Sequence, residues 1–275
     1  VSWFALRVTP DAARRDAVAR WLVGETGQPV TEQDDGAITG AVGSRDAAEI
    51  VAAGLARAFA LQADVTALAD VDWSIHWRDG IRARQFGRLQ VTPSWLDAGM
   101  AWNGPKVVLD PENAFGSGEH GSTRTALTLL ERHLRSGARV LDLGSGSGIL
   151  AIAAARLGAA RAIGVECDAD AVAVGERNAL SNHVTANVHF LTGDAGALAP
   201  VIGPAEVILS NILRTVNVTL LPAIRAALAP DGLAIFAGME EEERPDFLAA
   251  LEARQFTPMD EAHDAGWWGV AARAS

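Results

Sequence analysis

Cysteine is almost missing from this chain: Cys167 is the one thiol in 275 residues. An internal disulfide is therefore excluded, and a reducing compartment, the cytoplasm, is the expected setting. No run of eighteen or more residues is free of charges and turn formers, although 49% of the chain is apolar, so no segment reads as a membrane span. The opening residues, VSWFALRVTP, alternate like a strand and carry neither the basic start nor the long apolar body of a secretion signal. Positive charge is in the minority, with 23 Lys and Arg against 34 Asp and Glu and a formal charge of −11. That balance repels a nucleic-acid backbone on average and attracts a basic protein, while the same surplus also serves solubility alone. There is no internal repeat and no low-complexity tail.

What is there divides into two styles of sequence. The front has a strand at WFALRVTP, a helix from about Asp11 to Glu25, a weak strand near Gly36 to Val42 and a helix from about Ser44 to Phe59. Alternation at the ends and helical spacing between them predict a small α+β layer. A segment with Trp73, Trp77 and Trp95 follows, and these aromatics read either as anchors for a partner or as core between two domains. From Lys106 onward the pattern changes to short, nearly continuous apolar runs: RVLDLG, RAIGVE, NVHFL, AEVILSN and GLAIFAG, separated by segments of helical length. This predicts a parallel sheet covered on both faces, with a final hairpin at its edge formed by ARQFTPMDEAHDA and GWWGVAARA.

The most informative stretch is VLDLGSGSGILAIAAARLGA. A buried strand ends at Leu143, Gly144, Gly146 and Gly148 take a tight turn, and a helix over Ile149 to Leu157 packs back. A Cβ at these glycines would block the turn or the approach of a ligand. Eighteen residues later a strand ends in Glu166, where an acid can grip the two hydroxyls of a ribose. Gly146, Gly148 and Ala151 also fit a dinucleotide fingerprint, so NAD is a rival. Against it, Asp142 just before the turn repels a pyrophosphate while it can attract the ammonium of a methionine moiety, and no second mononucleotide-like half follows. Asp194 ends the third strand, where it reads as an acceptor for an adenine amino group or as an ordinary turn acid. Asn211 ends the fourth, over the same crevice, and needs a hydrogen-bond partner if buried.

The loop NAFGSGEHGSTRT, Asn113 to Thr125, is a poor metal site, because Glu119 and His120 are adjacent and no second His lies four residues on. It is a poor phosphate loop as well, lacking a lysine after its glycines. His120 reads as a base or as a polar loop residue. Together, VLDLGSGSG, Glu166, SNIL and above all LDPENAFGSGEHGSTRTAL resemble the class I S-adenosylmethionine-dependent methyltransferases that modify ribosomal protein L11. The match runs from about Asp70 to the end and is only loose over the first 60 residues.

That resemblance implies an α/β fold: a Rossmann-like, seven-stranded methyltransferase sheet at residues 105–275, a joining segment at 66–104, and a small N-terminal α+β, ferredoxin-like domain at 1–65 that recruits the substrate. It implies S-adenosylmethionine as cofactor, no metal, a basic ribosomal protein as partner, no direct nucleic-acid or membrane contact, and a monomer. Thr123, Gly144, Glu166 and Asn211 match the family's cofactor contacts, with Phe115, Gly116 and Gly118 in a lid-like loop before them. Asp142, Gly146 and Asp194 complete the cofactor set, and Asn211 and His120 are the candidates for catalysis. Glu166 stands where the family commonly has Asp, and Ser117, Glu119, Gly121 and Ser122 also depart from its commonest loop. A related methyltransferase with another substrate, an NAD oxidoreductase and a non-catalytic binding protein remain as alternatives, distinguished by the cofactor bound and the protein labelled.

Overall fold

The computed structural model describes residues 3–11, 14–26, 30–32, 36–67, 82–97, 102–109 and 118–274. Two compact units result, Val1–Gly80 and Ile81–Ser275. In the first, strands β1 (Phe4–Val8), β2 (Thr31–Glu32), β3 (Ile38–Val42) and β4 (Asp64–Ala67) form an antiparallel sheet in the order β2, β3, β1, β4. Helices α1 (Arg15–Thr26) and α2 (Arg45–Phe59) complete a β-α-β-β-α-β chain of the ferredoxin-like kind. Leu6, Val8 and Ile38 from the sheet pack with Val18, Leu22, Val51 and Leu55 from the helices. Helix α1 starts later than the sequence pattern suggests, because Asp11 accepts from the backbone N and Nε of Arg14 and holds a turn there. Ser44 caps α2 by accepting from the Ala47 N–H at 3.2 Å.

The second unit opens with a small sheet of β5 (Arg84–Phe86), β6 (Leu89–Thr92) and β7 (Lys106–Val108), with a short helix α3 (Ser94–Asp97) between β6 and β7. Residues 84–92 therefore supply two of its three strands, although they fall in the stretch that the sequence marks as a joining segment. The reason is burial: Phe86, Leu89 and Val91 enter the same core as Val107. Trp73 and Trp77 lie outside the described residues.

The main sheet has seven strands in the order β10, β9, β8, β11, β12, β14, β13. These are β8 (Arg139–Leu143), β9 (Arg161–Glu166), β10 (Val188–Thr192), β11 (Ala205–Asn211), β12 (Leu228–Glu240), β13 (Phe256–Asp264) and β14 (Trp267–Ala274). The first five run parallel and the closing hairpin of β13 and β14 runs antiparallel, as the pattern of runs predicts. Successive residues face opposite layers, so both sets must be apolar. Val140, Val207, Leu209 and Ile235 pack beneath α4 (Gly121–His133), α5 (Ile149–Arg156) and α6 (Ala169–Ser181). Leu141, Leu143, Ile208 and Phe236 pack beneath α7 (Ala195–Ile202), α8 (Arg214–Ala227) and α9 (Arg244–Ala253). Coverage on both faces is what turns alternation into a continuous apolar run. Among the described residues no helix is long and apolar enough to cross a membrane.

One contact sets the spacing between the layers near the turn. The ring of Phe190 on β10 rests against Gly148, Gly164 and Gly175, where a Cβ would stand within 2.5, 2.5 and 3.0 Å of ring atoms. Gly164→Ala would also crowd the Ser145 Cβ at 2.8 Å, and overpacking of this kind costs about 1–3 kcal/mol. Urea denaturation is expected to show that loss as a lower midpoint. An unchanged midpoint would mean that the ring swings aside freely.

Candidate functional site

Strand β8 feeds the turn Gly144 to Gly148, and the three glycines take left-handed backbone angles, with φ of 70°, 50° and 80°. Those angles strain any residue with a Cβ. Two carboxylates hold the turn in place. Asp142, 1% exposed, accepts through Oδ2 from the Ala151 N–H at 3.1 Å, satisfying a donor in the first turn of α5. Glu166, at the end of β9, accepts through Oε2 from the Gly146 N–H at 3.0 Å. Its Oε1 accepts from the N–H groups of Cys167 at 2.8 Å and Asp168 at 3.2 Å. The longer arm of Glu, compared with Asp, lets the carboxylate bend back onto the turn while its residue still lines the crevice. From below, the Asn178 amide donates to the Ser147 carbonyl at 2.9 Å.

A cavity of about 320 Å³ opens where β8 and β11 part to opposite sides of the sheet. This is the switch point at which open α/β sheets bind ligands, and the volume is in the range of a small-molecule site. Gly144, Ser145, Gly146, Glu166, Asp194 and Asn211 line it, together with the apolar Ile149, Leu150, Val165, Ile212, Val216 and Leu220. Asp194 caps α7 through a hydrogen bond from the Ala197 N–H at 2.8 Å, so the turn acid and the cavity wall are one residue. Asn211 donates from Nδ2 to the Thr123 hydroxyl at 3.3 Å, and its Oδ1 is buried without a partner. Two more buried oxygens beside the glycine turn are without a partner, Asp142 Oδ1 and Ser145 Oγ.

The sequence-derived candidates do not all reach this wall. Thr123 is fully buried and acts through Asn211, and Asp142 lies under the turn and not on the cavity lining. His120 stands apart from the lining, because its ring packs on Trp267 with centroids 4.2 Å apart and its Nδ1 meets the Ser122 hydroxyl at 2.7 Å. Burial, with the Arg124 charge adding, holds that imidazole below its ordinary value and favours the neutral ring. Gly118, φ 79°, is buried beside Ile149 and Val91, whereas Phe115 and Gly116 lie outside the described residues. The exit of the loop is pinned: Arg84 Nε donates to Glu119 at 3.0 Å, and Arg124 binds both oxygens of Asp264 at 2.6 and 2.8 Å.

Sequence reasoning missed the buried amides. Asn178 lies on α6 and Asn182 caps its end one turn later, and Asn182 exchanges two hydrogen bonds with the backbone of Val108. Asn217 is buried on α8. The available signal was an amide set among apolar helix positions, which implies a buried partner without naming it.

A parallel sheet with a glycine turn at its switch point, one mononucleotide-like half and an antiparallel closing hairpin defines the class I, S-adenosylmethionine-dependent methyltransferase fold. Comparison with known proteins gives the same class: the family described as ribosomal protein L11 methyltransferase (PrmA) matches residues 7–275. Curated ribosomal protein L11 methyltransferases of Pelotomaculum thermopropionicum and Thermus thermophilus are each 37% identical to the chain, over 207 and 202 residues. Those matches span 75% of this chain and 67% of the first protein, and 73% of this chain and 76% of the second. The crystal structure of the ribosomal protein L11 methylase from Lactobacillus delbrueckii subsp. bulgaricus superposes with a TM-score of 0.65 at 29% identity, over 70% of this chain and 99% of that one. The chain belongs to the ribosomal protein L11 methyltransferase family.

Burial pushes the Asp142 carboxyl from 3.8 up to about 7; the Ala151 N–H opposes the shift and the Glu166 charge adds to it. A carboxyl whose folded value lies above its unfolded one holds its proton more tightly when folded. Its contribution is therefore complete below the unfolded value and is lost as pH rises through the folded value of about 7. Asp142→Asn removes this dependence, so the stability advantage of the natural residue over Asn should shrink between about pH 5 and about pH 8. Chemical denaturation at both pH values checks this, and an equal difference at the two would show that the carboxyl does not titrate in that window.

Proposed function

We propose that this chain transfers methyl groups from S-adenosylmethionine to amines of ribosomal protein L11, the lysine side chains and the N-terminal amine. The observation that carries the reading is the set of three buried, unpartnered oxygens at the glycine turn and its neighbouring strand end: Asp142 Oδ1, Ser145 Oγ and Asn211 Oδ1. Buried acceptors without donors are rare in folded proteins, and three together suit a ligand that brings its own. An amino acid ammonium, ribose hydroxyls and an adenine amino group are such donors. Glu166 and Asp194 would hold the adenosyl part, Asp142, beneath the turn, the ammonium through water, and Gly144 and Gly146 would admit the ligand close to the backbone. When bound, S-adenosylmethionine supplies a methyl carried on an electrophilic sulfonium.

The chain's own task is to deliver an uncharged amine. A lysine amine titrates near ~10.4 in water, and an apolar wall lowers that value by disfavouring the ammonium. Ile212, Val216 and Leu220 provide such a wall. The Asn211 Oδ1 accepts an amine N–H and aims the lone pair, while Thr123 holds the amide so that its oxygen stays available. Alignment of this kind supplies much of the rate in group transfer. The backbone of SNIL is less suited to the role, since the Ile212 carbonyl already accepts from Asn217 at 2.9 Å. No dedicated base is required, and His120 is assigned no step. Acids also gather at the carboxyl edge of the sheet, with Glu166, Asp168 and Asp194 on one side and Glu240 and Glu241 at the end of β12, which favours a basic partner.

Incubation of the protein with methyl-labelled cofactor and unmethylated ribosomal protein L11 should place label in that protein. Asn211→Ala should lower turnover roughly 10²- to 10³-fold, the range for loss of one preorganised polar group. Label found only in another protein or in a small molecule would replace the substrate named here.

Residues 1–65 are proposed to recruit the protein substrate, with the chemistry confined to residues 105–275 and 66–104 joining them. The front unit has its own core and sheet but contributes none of the cavity-lining residues named above. Removal of residues 1–65 should leave cofactor affinity intact and abolish methylation of the intact ribosomal protein, as read by calorimetry and label transfer. Full activity in a folded truncation would show that the front unit only covers apolar surface.

A further inference from the structure

Asn217 lies in the second turn of α8 and has no exposed surface. Its Nδ2 donates to the Ile212 carbonyl at 2.9 Å and to the Ala237 carbonyl at 3.0 Å, and its Oδ1 accepts from the Ser210 hydroxyl at 2.6 Å. Both amide donors and the carbonyl are thus engaged. The three partners surround one residue: Ser210 precedes Asn211, Ile212 follows it, and Ala237 faces it across the β11 to β12 pairing. Gly238, φ 86°, closes on the Ile212 peptide as well, where a Cβ would stand 2.3 Å from the Ile212 oxygen. The turn that leaves β11 is therefore gripped between a buried amide and a glycine that no other residue can replace without strain.

We propose that Asn217 is a positioning residue for methyl transfer, which fixes the backbone on both sides of Asn211 and draws the Ile212 carbonyl away from the crevice. The inference rests on the role of Asn211 given above. Thr123 orients the end of the Asn211 side chain, and Asn217 sets the point from which that side chain starts. With both constraints, Asn211 Oδ1 is the unpartnered acceptor of this turn. Without the second, the turn can shift by a fraction of an ångström and present the Ile212 carbonyl in its place.

A purely structural role for Asn217 predicts that activity follows stability, and two variants separate the cases. Asn217→Leu fills a similar volume but donates to neither carbonyl, while Ser210→Ala deletes one buried hydrogen bond and leaves both donations intact. The expected result is a fall in kcat of roughly 10- to 100-fold for Asn217→Leu, the scale of a small misplacement in an aligned site. Its Kd for S-adenosylmethionine should change far less, and Ser210→Ala should keep kcat within about threefold despite a comparable drop in Tm. Wild-type kcat in folded Asn217→Leu overturns the proposal, as does a loss of kcat in both variants in proportion to Tm. Should Asn217→Leu fail to fold, Asn217→Asp, nearly the same shape and still able to accept from Ser210, takes its place with the same expected fall. If the natural protein methylates no ribosomal protein, the functional reading fails on its own. The grip is then read directly by nuclear magnetic resonance, where slow exchange of the Asn217 side-chain amide protons supports it and rapid exchange overturns it.

Discussion

Two carboxylates on neighbouring strands accept hydrogen bonds from the glycine turn and the helix that follows it, and the rest of the site depends on that arrangement. Asp142 reaches the Ala151 N–H from below and Glu166 reaches the Gly146 N–H from the side. A turn with three left-handed glycines has little conformational preference of its own, because glycine is equally at ease in many backbone states. The acids, together with Asn178 beneath the Ser147 carbonyl, select one of those states.

The same device borders the cavity, since Asp142 accepts from the first turn of α5 through one oxygen while its second oxygen is buried without a partner. The cavity is then walled by groups from four strand ends, which converge because β8, β9, β10 and β11 run parallel and stop at one edge. Asn211 is held by Thr123 of α4 at its amide and by Asn217 through the backbone around it. A residue so restrained loses little freedom when a substrate arrives, which is the condition for effective alignment.

Away from the crevice, the loop exit at Glu119 and His120 is anchored without a special motif. Arg84 takes Glu119, Arg124 takes Asp264 at the end of β13, and the His120 ring lies on Trp267 at the start of β14. Although burial pushes the Glu119 carboxyl up, the hydrogen bond from Arg84 and further help from the Arg82 N–H and Arg124 hold it below its ordinary value. These contacts fix the first turn of α4, and through it Thr123, so the hairpin at the sheet edge reaches the site indirectly.

The sequence by itself determined the architecture of the main sheet and the chemistry at its edge. Continuous apolar runs can arise only where both faces of a strand are covered, and a glycine turn followed by an acid on the next strand has few structural uses, so RVLDLGSGSG and RAIGVE were legible as written. The family resemblance added the loop before α4 and the place of Thr123 and Asn211. Tertiary structure alone decided three things. It put Asp142 beneath the turn and His120 against Trp267, since burial depth depends on which helix covers a strand and not on neighbours in the chain. It drew residues 84–92 into a sheet with β7, because the partner strand lies beyond α3 and pairing across such a gap leaves no periodicity to read. And it closed the hydrogen bonds of Asn178, Asn182 and Asn217, whose partners, the Ser210 hydroxyl apart, are backbone groups that every residue carries and that no sequence pattern marks.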